Sequence, residues 1–77
     1  MKKDKTRHKN SHKSIGMNIK KLREAKGISQ EELAFSLSSA RNYIGCIERG
    51  EKSPSLDFML DISNVLGCNL AEFFKNV

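Results

Sequence analysis

The chain has 77 residues, 38% of them apolar, and a formal net charge of +5, which bounds it to one small domain with a modest core. No run approaches the roughly 18 apolar residues of a membrane span, and no apolar signal-peptide core is present. The expectation is a cytoplasmic protein with no membrane partner. Cys46 and Cys68 fit no zinc-binding spacing, and a disulfide between them is not expected in a reducing compartment.

The charge is unevenly placed. Residues 1–14 hold six basic residues (Lys2, Lys3, Lys5, Arg7, Lys9 and Lys13) against Asp4, whereas residues 15–77 hold eight basic and eight acidic groups. The first stretch is nearly free of apolar residues, so it cannot offset the entropy of ordering and is expected to be a disordered basic arm. Two roles stay open for it: following DNA phosphates, or simply aiding solubility. His8 and His12 share an i, i+4 spacing but have no third ligand that would make a metal site.

A first helix is predicted over about Ile15 to Lys26, with Ile15, Ile19, Leu22 and Ala25 as its buried stripe, Ser14 as its cap and Gly27 as its left-handed stop. Ile28 then packs beneath the next helix. Ser29 followed by Glu32 is a capping-box pattern, opening a second helix over Gln30 to Leu37 with Leu33, Ala34 and Leu37 on one face. The small Ala34 lets another helix cross closely. Phe35 points away from that face, toward either a fourth helix or a partner.

After the polar break at Ser36, Ser38 and Ser39, a third helix is predicted over Ala40 to Arg49. At about 100° per residue, Ala40, Tyr43, Ile44 and Ile47 share one stripe, and Arg41, Asn42, Gly45, Cys46 and Arg49 fall opposite. An apolar face for a core and a hydrogen-bonding face for a groove are the layout of a helix-turn-helix on double-stranded DNA. Arginine reads guanine and asparagine reads adenine in bidentate fashion. Arg41 and Asn42, at the end that enters first, form the expected base-reading set with Gly45 and Cys46. Gly45 would let the backbone approach DNA. Cys46 would contact a thymine methyl or act as an oxidisable switch. The Tyr43 ring is expected on the core, with its hydroxyl toward a phosphate.

Gly50 stops this helix, and Glu51 to Pro54 form a loop. Ser55 caps a fourth helix with Asp57 in its first turn; Leu56, Met59, Leu60, Ile62, Val65 and Leu66 make it apolar almost all round, and Gly67 ends it. Asn69 with Glu72 suggests another cap, opening a short fifth helix over Leu70 to Phe74. One of Phe73 and Phe74 can close the core, while two suggest surface left over for a partner.

The KLREAKGISQEELA opening, the YIxxIERG segment from Tyr43 to Gly50, the PSL after it and the LGCNLAEFF ending fall in order over about Ile15 to Phe74. In this the sequence resembles the phage Cro and repressor type of helix-turn-helix, the XRE-like family. Its FSLSSARNYIGCIERGEKSPSL stretch resembles the restriction–modification controller group somewhat more. The resemblance implies an all-α, compact five-helix, lambda-repressor-like domain over residues 15–77, behind the arm of residues 1–14. It implies a transcription regulator acting as a homodimer on a pseudo-palindromic operator, with half-sites roughly 34 Å apart. It pairs Arg23 with Glu48 as a structural tie, and gives Gln30 a phosphate contact and a bracing role at the helix start. Lys52 and Ser53 match a second phosphate-contacting stretch, and Ser29, Tyr43 and Arg49 join this phosphate rim. Leu70, Phe73 and Phe74 would form the two-fold dimer interface.

The turn departs from the family pattern of glycine, an apolar residue and a Ser or Thr cap, with Ser38, Ser39 and Ala40 in those places. A left-handed non-glycine costs about 1 kcal/mol, and Ser39 as the cap would start the third helix a residue early. A second functional reading is a protein-interaction module, antitoxin-like or adaptor, that keeps the fold without operator recognition. The neutral domain and altered turn favour it; Gln30, Arg41 and Asn42 argue against it. No nucleophile–base pair, metal cluster or phosphate loop is present in the sequence. No catalytic site, metal, cofactor or small-molecule ligand is therefore expected, and the protein is not read as an enzyme.

Overall fold

The structure, a computed structural model, describes residues 8–77. Its elements are α1 (Lys9–Ala25), α2 (Gln30–Ser36), α3 (Arg41–Glu48) and α4 (Leu56–Leu66), followed by a 3-10 helix over Leu70–Phe74. No strand occurs among the described residues, so the fold is all-α. Ile19 of α1, Leu33 and Ala34 of α2, Ile44 and Ile47 of α3, Ile62 and Leu66 of α4 and Phe73 close a single core. The Tyr43 ring lies 5.3 Å from that of Phe58 at 55°, joining α3 to α4.

Local signals set most helix starts. The Ser29 hydroxyl accepts from the Glu32 N–H at 3.0 Å, and Glu32 accepts from the Ser29 N–H at 2.8 Å, completing the capping box. Ser55 accepts from the N–H of Phe58, and Asn69 from that of Ala71.

The helix ends share one geometry. After α1, α2, α3 and α4, an N–H bonds back to the carbonyl five residues earlier: Ile28 to Arg23, Ser39 to Ala34, Glu51 to Cys46 and Cys68 to Ser63. The residue before each donor is left-handed. It is Gly27, Gly50 and Gly67 in three cases (φ 77°, 78° and 67°), and Ser38 in the fourth (φ 53°). The serine therefore keeps the turn and carries its strain. Ser39 is used in closing α2 and does not cap α3, which opens after Ala40 with no side-chain cap. The early start at Ser39 does not occur.

Other expectations are corrected in α1. It begins at Lys9 rather than Ile15, and Ser14 lies inside it; His8 stands at the cap position without a side-chain hydrogen bond. Lys9 to Ser14, expected in the disordered arm, are thus helical, while residues 1–7 of that arm lie outside the described residues. Packing explains the longer helix. A Cβ on Gly16 would stand 2.6 Å from the carbonyl oxygen of Glu48, and one on Gly50 would stand 2.8 Å from the Lys13 Cα. The backbone of α1 therefore lies directly on the end of α3 and the turn after it, with Ser11 and His12 half-buried. This contact turns the buried face toward Gly16, Ile19 and Arg23 and leaves Ala25 exposed, outside the stripe expected for it.

Two substitutions measure these constraints by urea or thermal melting. Ser38→Gly is expected to stabilise the fold by about 1 kcal/mol by relieving the left-handed serine. Gly16→Ala is expected to destabilise it by about 1–3 kcal/mol, because backbone atoms must separate to admit a methyl group.

Candidate nucleic-acid interface

A buried ion pair forms the floor of the site. Arg23 Nε donates to Glu48 Oε2 at 2.6 Å and Arg23 Nη2 to Glu48 Oε1 at 3.0 Å, with the two residues 7% and 6% exposed. Arg23 Nη1 donates to the Ile28 carbonyl at 2.7 Å, and Gln30 Nε2 donates to Glu48 Oε1 at 2.9 Å. One carboxylate thus ties α1, the first turn of α2 and the end of α3. Its hydrogen bonds hold the Arg23 pKa above the ordinary arginine value against the opposing effect of burial. No buried side-chain nitrogen or oxygen among the described residues lacks a partner.

The helix fixed by this node turns its polar side outward. Arg41 and Asn42 are exposed at the amino end of α3, Cys46 is half-buried one turn on, and Arg49 is exposed just past its end. Arg49 Nε and Nη2 donate to the Glu51 carboxylate at 2.9 and 3.2 Å, and Nη2 lies 3.6 Å from Cys46 Sγ. The hydrogen bonds raise the Arg49 pKa and lower that of Glu51. Around this face Ser29, Lys52 and Ser53 are exposed, Gln30 is half-buried with its amide on Glu48, and Tyr43 is half-buried.

Of the predicted site residues, one is covered by a neighbouring side chain and another belongs to the core. Gly45 is buried rather than open to a groove: a Cβ there would stand 3.1 Å from Arg49 Nη1 and 3.8 Å from Gln30 Nε2. The glycine makes room for the Arg49 guanidinium lying back along α3. Phe73 is 0% exposed and belongs to the core, so it cannot form a dimer surface. Asn18 Nδ2 donates to the Phe73 and Lys75 carbonyls, both at 2.9 Å. That clamp on α1 seats Phe73 inward, while Phe74 is exposed and Leu70 is half-buried against the core.

Sequence reasoning missed the flank of the site that α1 supplies. Lys13, Met17 and Lys20 share a cavity with Gln30, Glu48 and Arg49. Their i, i+4, i+7 spacing was the available signal. Among the described residues no group of three or more His, Cys, Asp or Glu side chains could hold a metal, and both cysteines are free.

Two short helices joined by a tight turn, the second with its apolar face in the core and its polar face in solvent, define a helix-turn-helix protein. The helix-turn-helix family profile matches residues 19–73. Over 54 residues the chain is 43% identical to the control protein C.BamHI of Bacillus amyloliquefaciens, covering 69% of this chain and 67% of that one. It is 38% identical over 64 residues to the control protein C.MunI of a Mycoplasma species, covering 82% and 86%. The crystal structure of the restriction–modification controller protein C.AhdI from Aeromonas hydrophila superposes with a TM-score of 0.81 at 37% identity, covering 84% of this chain and 98% of that one. The protein belongs to the XRE-type helix-turn-helix family, which comprises DNA-binding regulators and not enzymes.

Replacing Glu48 with alanine strands the Arg23 guanidinium and frees the Gln30 amide. The expected loss in a urea unfolding titration is about 3–5 kcal/mol, a large share of the stability of a domain this small.

Proposed function

We propose that the protein is a sequence-specific transcription regulator that binds a pseudo-palindromic operator as a homodimer, with α3 of each subunit in a major groove. The observation that carries this reading is the exposed pair Arg41 and Asn42 at the leading end of a helix held in place by the Arg23–Glu48–Gln30 node. A guanidinium and a carboxamide there suit bidentate reading of guanine and adenine. Cys46 lies one turn further along the same side. Ser29, Gln30, Tyr43, Arg49, Lys52 and Ser53 border that face and suit contacts to phosphate. The similarity to control proteins, one of them described as a restriction–modification controller, supports a regulatory role. No helix among the described residues is long and apolar enough to cross a membrane, in keeping with action in the cytoplasm.

Homodimerisation is supported by the apolar surface of the carboxy-terminal half. Leu56 and Leu60, at i, i+4 on α4, are 56% and 40% exposed, and Phe74 and Val77 are exposed beyond them. A two-fold axis would pair such a surface with itself, with Phe74 and α4 in place of the buried Phe73. Dimerisation would set the spacing of the two α3 helices at about one turn of DNA.

The reading is tested by titrating the DNA upstream of the protein's own gene against scrambled DNA. A preference of about 10³-fold or more is expected, and the Arg41→Ala and Asn42→Ala substitutions should each remove about 1–3 kcal/mol of it. Equal binding to both DNAs would reject operator recognition and favour the interaction-module alternative. Leu60→Glu is expected to convert the dimer to a monomer in sedimentation equilibrium while the helical circular dichroism is retained.

A further inference from the structure

Between α1 and the α2–α3 unit lies an open groove of about 440 Å3, lined by Lys13, Met17, Lys20, Gln30, Glu48 and Arg49. Its charge is one-sided. Lys13 and Lys20 line it together with Arg49, whose guanidinium is paired with Glu51 outside the groove, and the one lining carboxylate, that of Glu48, is already engaged by Arg23 and Gln30.

The cations are carried on fixed backbone. Lys13 belongs to the part of α1 that lies against the Gly50 turn, so close that a Cβ on Gly50 would stand 2.8 Å from its Cα. Lys20 follows two turns later on the same side of α1, with Met17 between them. Arg49 lies over Gly45, whose missing side chain leaves the space that Nη1 occupies beside Gln30. Glycine inside a helix costs about 1 kcal/mol relative to alanine, and this fold retains one where the guanidinium lies back. Glu51 holds the opposite edge of the guanidinium through Nε and Nη2.

We propose that this groove seats the DNA sugar–phosphate backbone, making α1 a second DNA-binding element outside the helix-turn-helix. The inference rests on the regulator reading above and adds Lys13 and Lys20 to its contacts. The backbone is the occupant because the groove borders the polar side of α3 and shares Gln30 and Arg49 with it. It is also a solvent-open trough rather than the enclosing pocket in which a small ligand is buried. Lys9 stands one turn before Lys13 on α1 and is exposed, so the positive charge continues beyond the groove along that helix.

The test uses the full chain and a DNA duplex of about 30 base pairs of arbitrary sequence, titrated over a series of salt concentrations. Three proteins are compared: the unsubstituted chain, a Lys13→Ala/Lys20→Ala variant, and a Lys26→Ala variant that removes a charge at the far end of α1, beside Gly67. Alanine favours helix at positions 13 and 20, so folding is not endangered. Each phosphate contact adds about 0.9 to the slope of log K against log salt. The groove variant should lose about one to two units of slope, and the control variant should keep the original value. Equal slopes in the two variants overturn the proposal. Inorganic phosphate forms the second arm. Saturable submillimolar binding without DNA, lost in the groove variant, would make this a free-anion site and also overturn it. Preference for the upstream DNA over scrambled DNA tests the regulator reading separately, since phosphate contacts carry no sequence information. A lowered slope without any preference sinks the regulator reading and keeps the groove; preference with an unchanged slope does the reverse.

Discussion

The carboxylate of Glu48 is the point on which the arrangement of this small protein depends. It accepts from Arg23 and Gln30, so three helices meet at one charged group in the interior. Burying two charges costs several kcal/mol of solvation, which their attraction roughly offsets, so the pair is a weak source of net stability. Its value is directional. Apolar packing around Ile19, Ile44 and Ile47 tolerates small rotations, whereas a bidentate arginine–carboxylate contact with a third donor fixes one orientation. The polar side of α3 faces outward at a defined angle because its last residue is held this way.

Features governed by neighbouring residues were legible in the sequence. The Ser29–Glu32 box, the Ser55 and Asn69 caps and the left-handed glycines are local chemistry, and each sits where the spacing puts it. Ser38 shows the limit of that reading. The departure from glycine is visible in the sequence, but only the hydrogen bond that Ser39 shares in kind with the other three helix ends shows that the turn holds its shape under strain. Features set by distant residues were not legible. Helix propensity gives no reason for α1 to begin at Lys9; the reason lies in the backbone of α3 and the Gly50 turn. Phe73 rather than Phe74 closes the core, and its carbonyl is held by Asn18, 55 residues away. The Arg49 guanidinium that lies over Gly45 is a further contact that helical spacing alone does not announce.

The charges of the described residues are divided across the surface. Lys13, Lys20 and Arg49 gather on one flank of α3. The outer side of α2 carries Glu31 and Glu32 beside Phe35, which is 86% exposed. A polyanion is attracted to the first surface and repelled by the second, so the uneven field orients the molecule without a large overall charge.

The clamp from Asn18 to the carbonyls of Phe73 and Lys75 spans 55 and 57 residues, and it bears on how the chain folds. α1 meets its partners 25 residues away at Glu48 and 55 residues away at Phe73. Closing loops of that length costs chain entropy before any contact is made. The docking of α1 is therefore slow beside the formation of the caps and turns, whose partners are adjacent residues.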